Sequence, residues 1–263
     1  MARIARAPLT RAHWRALAGM TRVYSPLRLP EVAGRYLTTG GRYPYECEIR
    51  TPVGPVRPLL DTPDDLRTVN EIFARQDYRV PETLAVAVDV GANIGLASLY
   101  FLTRNDSSRV YCLEPDPKNV ARIGRTLDDP RFSGRYELQA VAAADGDGEA
   151  IFYTEATGRY GGLRRGWRSQ TTITVPTRCF DVVIGEILER EPRIDMLKID
   201  TEGTEGDLVA SISIEHLQRI DRISYETVRP TPLHLDQFVH RYVCHVNELT
   251  RRTELGPRQA RPR

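Results

Sequence analysis

The chain has no run approaching the roughly 18 apolar residues that a bilayer-spanning helix needs. Cysteine is sparse and scattered: Cys47, Cys112, Cys179 and Cys244 are the four among 263 residues, with no C-x-x-C pair. That spacing argues against a disulfide framework or a zinc site and reads as reduced thiols. A charge excess is missing as well, since 37 basic residues face 35 acidic ones for a net charge of +2. No broad field for nucleic acid follows from that balance, and there is neither a basic, aromatic stripe nor an NPPY-type motif. The opening stretch "MARIARAPLTRAHWRALAGM" is basic and mildly amphipathic but has no apolar core of signal-peptide length. These absences lead to the expectation of a cytoplasmic protein with neither membrane nor nucleic acid as partner. A homo-oligomer stays compatible with all of them.

What is present looks like an ordinary globular chain, 41% hydrophobic and 27% charged. Residues 1–80 read as an N-terminal extension. Its first 40 residues are helical pieces interrupted by Pro8, Pro26 and Pro30, and a hairpin follows around Pro52 and Gly54. "DTPDDLRTVNEIF" then starts a helix, with Thr62 as cap, Pro63 in the first turn, and Leu66, Val69, Ile72 and Phe73 on one face.

From about residue 84 the pattern becomes strand and helix in alternation. "LAVAVDV", "RVYCLEP", "YELQAVAAA", "IDMLKID" and "RISYETV" read as buried strands, and "NIGLASLYFLTRN" and "DPKNVARIGRTLDD" as helices. Alternation of this kind predicts right-handed βαβ units, hence an α/β fold with a doubly wound, mostly parallel sheet over residues 81–250. "HLDQFVHRYV" reads as a helix and "CHVNEL" as a strand, so the sheet looks trimmed at its end, or covered at an edge by the N-terminal hairpin. Residues 251–263 read as a flexible basic tail. "TGRYGGLRRGWRS", 157–169, is either a surface loop or a lid that brings Tyr160, Arg164, Arg165 and Trp167 to a ligand.

The chemistry centres on "VDVGANIG". A doubly wound sheet binds ligands beyond the carboxyl ends of its strands, and Gly91 and Gly95 let the backbone turn and come close to one there. The dinucleotide fingerprint is broken because Asn93 takes the place of its second glycine, and no GK[ST] follows to make a P-loop. Asp89 before the turn suits a ligand carrying positive charge, such as an α-amino group or a sulfonium; as a plain helix cap it would have only structural value. Glu114 closes the second strand at the spacing of a ribose-binding carboxylate. The two acids together suggest S-adenosylmethionine.

Several blocks carry a family resemblance. "VDVGANIGLASLYF", "LEPDPKNVARI", "VAAADGDGEAIFY", "VPTRCFDVVI" and "IDMLKIDTEGTEGDLV" resemble the FkbM family of S-adenosylmethionine-dependent methyltransferases. Its signature K-I-D-x-E-G-x-E falls on Lys198 to Glu205, and the match runs from about residue 80 to 228. The resemblance implies a Rossmann-like class I methyltransferase sheet and methylation of a hydroxyl on a sugar, polyketide or other natural product. It further implies that Asp89, Gly91, Asn93 and Gly95 line the methionine part of the cofactor. Glu114 with Pro115 would hold the ribose, and Ala142 and Ala143 would flank the adenine. Asp145 matches an acid of the family's pattern, and Asp181 a position of structural character.

Methyl transfer to a hydroxyl needs a positioned acceptor and a destination for its proton. If the fourth strand runs on, alternation puts Lys198, Asp200 and Glu202 on one side. Asp200 is then the first candidate for base, cofactor contact or metal ligand, with Glu202 next and Glu226 completing an acidic cluster. Converging acids repel unless a proton, Lys198 or a cation intervenes, so Mg2+ on Asp200 and Glu226 is one expectation. Lys198 could equally be a structural counter-charge, and Glu205 the start of a helix. His234 is a further candidate base. Two other readings compete: a degenerate methyltransferase fold serving as a binding module, and a nicotinamide-dependent oxidoreductase, which lacks both its second fingerprint glycine and a Tyr-x-x-x-Lys pair.

Overall fold

The computed structural model describes residues 10–252 apart from Ala156 and Trp167. Arg11–Val23 (α1) and Leu29–Thr38 (α2) precede Tyr45–Glu46 (β1) and Leu59–Leu60 (β2), which pair antiparallel in a sheet of their own. Pro63–Val69 (α3) follows and continues as a π-helical turn over Asn70–Ala74. The Thr62 side chain accepts from the Asp65 amide while the Asp65 carboxylate accepts from the Thr62 amide. This reciprocal cap satisfies two backbone donors that a helix start leaves open.

The alternating segments come next: Val86–Val90 (β3), Leu96–Leu102 (α4), Arg109–Leu113 (β4), Pro117–Thr126 (α5) and Tyr136–Gln139 (β5). Ala142–Ala144 (β6), Gly148–Thr154 (β7) and Thr171–Cys179 (β8) lead to Phe180–Arg190 (α6), Met196–Ile199 (β9), Glu205–Ser211 (α7) and Ile214–Leu217 (α8). Arg222–Glu226 (β10), Phe238–Val243 (β11) and Val246–Arg251 (β12) end the described chain. The main sheet has seven strands in the order β11-β12-β10-β9-β3-β4-β5. The run from β10 to β5 is parallel, and β12 and β11 are antiparallel.

Both faces of the sheet are buried, and the strand residues divide between them by parity. Ala87, Val110, Cys112 and Met196 face a core shared with α1, α3, α4 and the N-terminal region. Val86, Val88, Val90, Tyr111, Leu113, Leu197 and Ile199 face one built with α6, α7 and α8. Apolar side chains on both faces explain why these strands read as continuous hydrophobic runs. The N-terminal extension is thus part of the main core.

Three expectations need correction. "HLDQFVHRYV" holds a strand, β11, paired along its whole length with β12 through a turn at Cys244 and His245. Leu235, Phe238, Val239 and Tyr242 have helical spacing, but Phe238, His240 and Tyr242 alternate equally well, and the neighbouring β12 decides between the two periods. The sheet therefore ends in a complete antiparallel pair, and the N-terminal hairpin does not extend its edge. "YELQAVAAA" is two strands: β5 stays in the main sheet, while β6 joins β7 and β8 in a separate three-stranded sheet. Arg251 is the last residue of β12, so the tail begins later; residues 253–263, like Trp167 of the lid reading, lie outside the described residues.

Candidate functional site

Two cavities open at the carboxyl ends of β3, β4, β9 and β10. The first has about 560 Å³ of unfilled space, its mouth included, and is walled by Gly91, Asn93, Glu114, Pro115, Ala142 and Ala143. The second is a cleft of about 2070 Å³ on the same measure, between the N-terminal region, the turn after β3 and the loops after β9 and β10. They meet at Gly91, Asn93, Arg159, Asp200 and Glu202.

Glu114 is 4% exposed. Its carboxylate accepts from the Asn93 amide at 2.8 Å, the Asp116 amide at 3.0 Å and Asn119 Nδ2 at 3.3 Å. Burial nevertheless outweighs those donors and pushes its pKa up to about 7. Asn93 sits at φ 52 and sends its side chain to the carbonyls of Gly158 and Arg159. The glycine turn, the second strand end and the 157–161 segment are therefore one hydrogen-bonded unit. Tyr160 and Arg164 of the 157–169 stretch line the cleft, with Arg164 bound to the Gly203 carbonyl and to Asp207.

Gly91 is required by the protein's own backbone before any ligand. Its φ is +71, and a Cβ there would stand 1.9 Å from the Asp200 carbonyl oxygen. The nearest reason for glycine is thus the end of β9 crossing against the turn. Gly95, at φ 83, is the residue before α4 and lines neither cavity.

Asp89 departs most from its expected role. It is fully buried, lines neither cavity, and is held by Ser98 Oγ at 2.6 Å and Lys198 Nζ at 3.0 Å. The register of β3 against β9 sets Asp89 beside Lys198, and the same row crosses β4 at Cys112. The positive charge that Asp89 suits is supplied by the protein. Lys198 also donates to the Gly91 carbonyl at 2.7 Å and lies 3.9 Å from Asp200. Burial alone would lower the lysine pKa, but Asp89 first and then Asp200 hold it above its usual value.

β9 stops at Ile199, so the expected alternation does not carry through to Glu202, which takes φ 58. Asp200 nonetheless lines both cavities, and Glu202 joins it there. Glu202 is accessible from the cleft, yet the protein walls around it, then Asp200 and Glu205, push its pKa up to about 7. Glu226, at the end of β10, accepts from the Tyr78 hydroxyl at 2.7 Å. Burial, then Asp200, raises its pKa well above the usual carboxylate range. Glu205 begins α7 and caps its own loop, accepting from the Thr201 and Gly203 amides. Asp181 ties α6 to α8 through the Ser213 amide and His216, the structural role expected of it. Asp145 is exposed beyond β6.

His234 lies outside both cavities, with Nε2 at 3.1 Å from the Val209 carbonyl and its own carbonyl accepting from Gln237 and Phe238. It shapes the entry to β11 and is no base for this site. Magnesium is not supported either. Among the described residues no group of three or more His, Cys, Asp or Glu is placed to share a metal ion. Glu226 is already bonded to Tyr78, and the Lys198 ammonium stands beside Asp200. Among the described residues no helix is long and apolar enough to cross a membrane.

The sequence reading missed four residues that the fold brings here. Asn119 lines the first cavity, Arg159 both, and Tyr78 and His245 the cleft. Asn119 belongs to the "LEPDPKNVARI" block, and its place shortly after Glu114 is the signal that marks it. Tyr78 and His245 come from parts of the chain without motif character.

A family model described as the methyltransferase FkbM domain matches residues 89–243. The chain is 29% identical to the AMB antimetabolite synthetase AmbE of Pseudomonas aeruginosa over 60% of its own length, and spans 9% of that much longer protein. It is 24% identical to Methyltransferase 1 of Beauveria bassiana, over 59% of this chain and 70% of that one. Among solved structures, a methyltransferase FkbM from Methylobacillus flagellatus covers 80% of this chain and 47% of its own at 17% identity, with a TM-score of 0.40.

Proposed function

Because the chain belongs to the FkbM methyltransferase family, we propose that it methylates a hydroxyl of a small molecule, a sugar, polyketide or other natural product, using S-adenosylmethionine. The observation that carries this reading is the junction of the two cavities at Gly91, Asn93 and Asp200. One side offers a buried carboxylate and small alanines, which fit a ribose and a purine ring. The other is a larger cleft lined with acids and fits a polyhydroxylated acceptor. The donor set suits the cofactor: Glu114 would take ribose hydroxyls, Pro115, Ala142 and Ala143 would leave room for the base, and the Gly91–Asn93 backbone would pass the methionine part.

The bound cofactor supplies an activated methyl group for in-line displacement. The protein's share is orientation of the acceptor and removal of its proton. Asp200 stands at the junction, where an acceptor oxygen would approach the methyl, and is the residue to receive that proton. Glu202, with its pKa near 7, and the Tyr78-bonded Glu226 can pass it to solvent or orient a second hydroxyl. Lys198, 3.9 Å from the Asp200 carboxylate, supplies a positive charge beside it.

Titration with S-adenosylmethionine, followed by label transfer to a panel of hydroxylated acceptors, tests the reading. Asp200→Asn should retain cofactor affinity and lose transfer by about a hundredfold or more. Turnover surviving that substitution would remove Asp200 from the mechanism, and a chain that binds NAD in place of S-adenosylmethionine would overturn the reading.

A further inference from the structure

We propose that Asn119 reads the adenosyl group of the cofactor, its Oδ1 accepting a hydrogen bond from a donor on that group. The inference rests on the cofactor reading above and adds a residue that the motifs alone did not single out. Asn119 stands in the first turn of α5, is 3% exposed, and lines the first cavity. Its Nδ2 points at two oxygens, Glu114 Oε1 at 3.3 Å and the Gly158 carbonyl at 2.9 Å. Those acceptors settle which way the amide faces, because a flip would set Oδ1 against both. Oδ1 is therefore held in place, buried, and without a hydrogen-bond partner.

Native interiors rarely leave such an acceptor unmet, since it loses water and gains nothing in return. A ligand donor removes that penalty. The neighbourhood narrows the choice: Nδ2 of the same amide touches Glu114 and Oδ1 lies beside Gly158, so whatever meets Oδ1 comes near the carboxylate assigned to the ribose. The adenosyl group carries two kinds of donor that could reach there, the ribose hydroxyls and the exocyclic amino group. Nδ2 on the Gly158 carbonyl has a second effect. It fastens the 157–161 segment over the cavity in concert with Asn93, so the residue that reads the cofactor also holds the strap beside it.

The experiment is calorimetric binding of S-adenosylhomocysteine, its 2′-deoxy and 3′-deoxy analogues, and the analogue lacking the 6-amino group. Each is measured with the wild-type chain, Asn119→Ala and Asn119→Ser. The deoxy analogues lose the Glu114 contact in every chain, so the donor is read from the difference between wild type and variants. Wild type should discriminate against one analogue about tenfold more strongly than either variant does, the scale of one buried hydrogen bond. The analogue whose discrimination falls in both variants identifies the donor. Both variants should also bind S-adenosylhomocysteine about tenfold more weakly. Equal wild-type affinity for all four compounds would overturn the assignment without any variant having to fold. So would unchanged affinity or undiminished discrimination in a folded variant. In those cases S-adenosylhomocysteine still binds and the cofactor reading stands; a wild-type chain that binds none of the four overturns that reading and this inference together.

Discussion

Replacing Lys198 by methionine tests the most consequential pairing in the molecule. The substitution keeps the length of the side chain and removes its charge. It leaves Asp89, fully buried, with Ser98 as its remaining partner, and takes from the Gly91 carbonyl its 2.7 Å donor. At 3.0 Å the pair attracts by about 5 kcal/mol at an effective dielectric of 20, part of which is offset by the cost of burying both ions. Breaking a buried pair from one side costs about 3–5 kcal/mol because an uncompensated charge remains. In a chain of this size that corresponds to a fall in Tm of roughly 10 °C. Urea titrations of the wild type, Lys198→Met, Asp89→Asn and the double variant close a cycle. The double variant should recover most of the loss, since two neutral groups can share the site without a stranded charge. A single-variant cost below about 1 kcal/mol, or a double-variant cost equal to the sum of the singles, would refute the pairing and return Asp89 to the candidates for ligand binding.

Three further outcomes follow from the geometry. The raised Glu114 pKa means that the folded, ligand-free protein keeps a proton between about 4.5 and about 7 that the unfolded chain would release. That contribution to stability is fully present below about 4.5 and is lost as the pH rises through about 7. Ribose hydroxyls donate best to the ionised carboxylate, so S-adenosylmethionine affinity should weaken by up to about tenfold per pH unit below 7; calorimetry between pH 5 and 8 reads it, and a flat profile would exclude Glu114 as the ribose acceptor. Gly91→Ala should cost more than about 2 kcal/mol, through both the left-handed backbone and the Asp200 carbonyl at 1.9 Å from the added Cβ, and chemical denaturation measures it. His234→Ala should leave methyl transfer within about twofold of wild type and cost about 1 kcal/mol of stability or less, since its ring bonds a single carbonyl away from both cavities.

By itself, the sequence determined those features that repeat along the chain or sit in a local turn. Alternating apolar runs and amphipathic helices led to the doubly wound sheet, because burial on both faces writes itself into every strand. The cap at Thr62 and the glycine turn after β3 were legible because they depend on neighbouring residues alone. Glu114 was found by its distance from that turn. Strand β11 and the three-stranded sheet of β6, β7 and β8 were not, because a short segment with two possible periods takes its state from the partner it meets.

Tertiary structure decided which charge meets which. Asp89 and Lys198 are 109 positions apart by number, yet strand order places β9 directly against β3, and parallel register then makes the two residues neighbours on one face. Nothing in "VDVGANIG" or "KIDTEGTE" specifies that adjacency; it arises because the chain returns to the centre of the sheet after passing through five other strands. The same return brings the Asp200 carbonyl against Gly91 and leaves the Asp200 side chain at the junction of the two cavities. A motif names residues of the right chemistry, but which of them the interior neutralises and which the cleft retains depends on contacts between distant strands, and a linear pattern does not contain those.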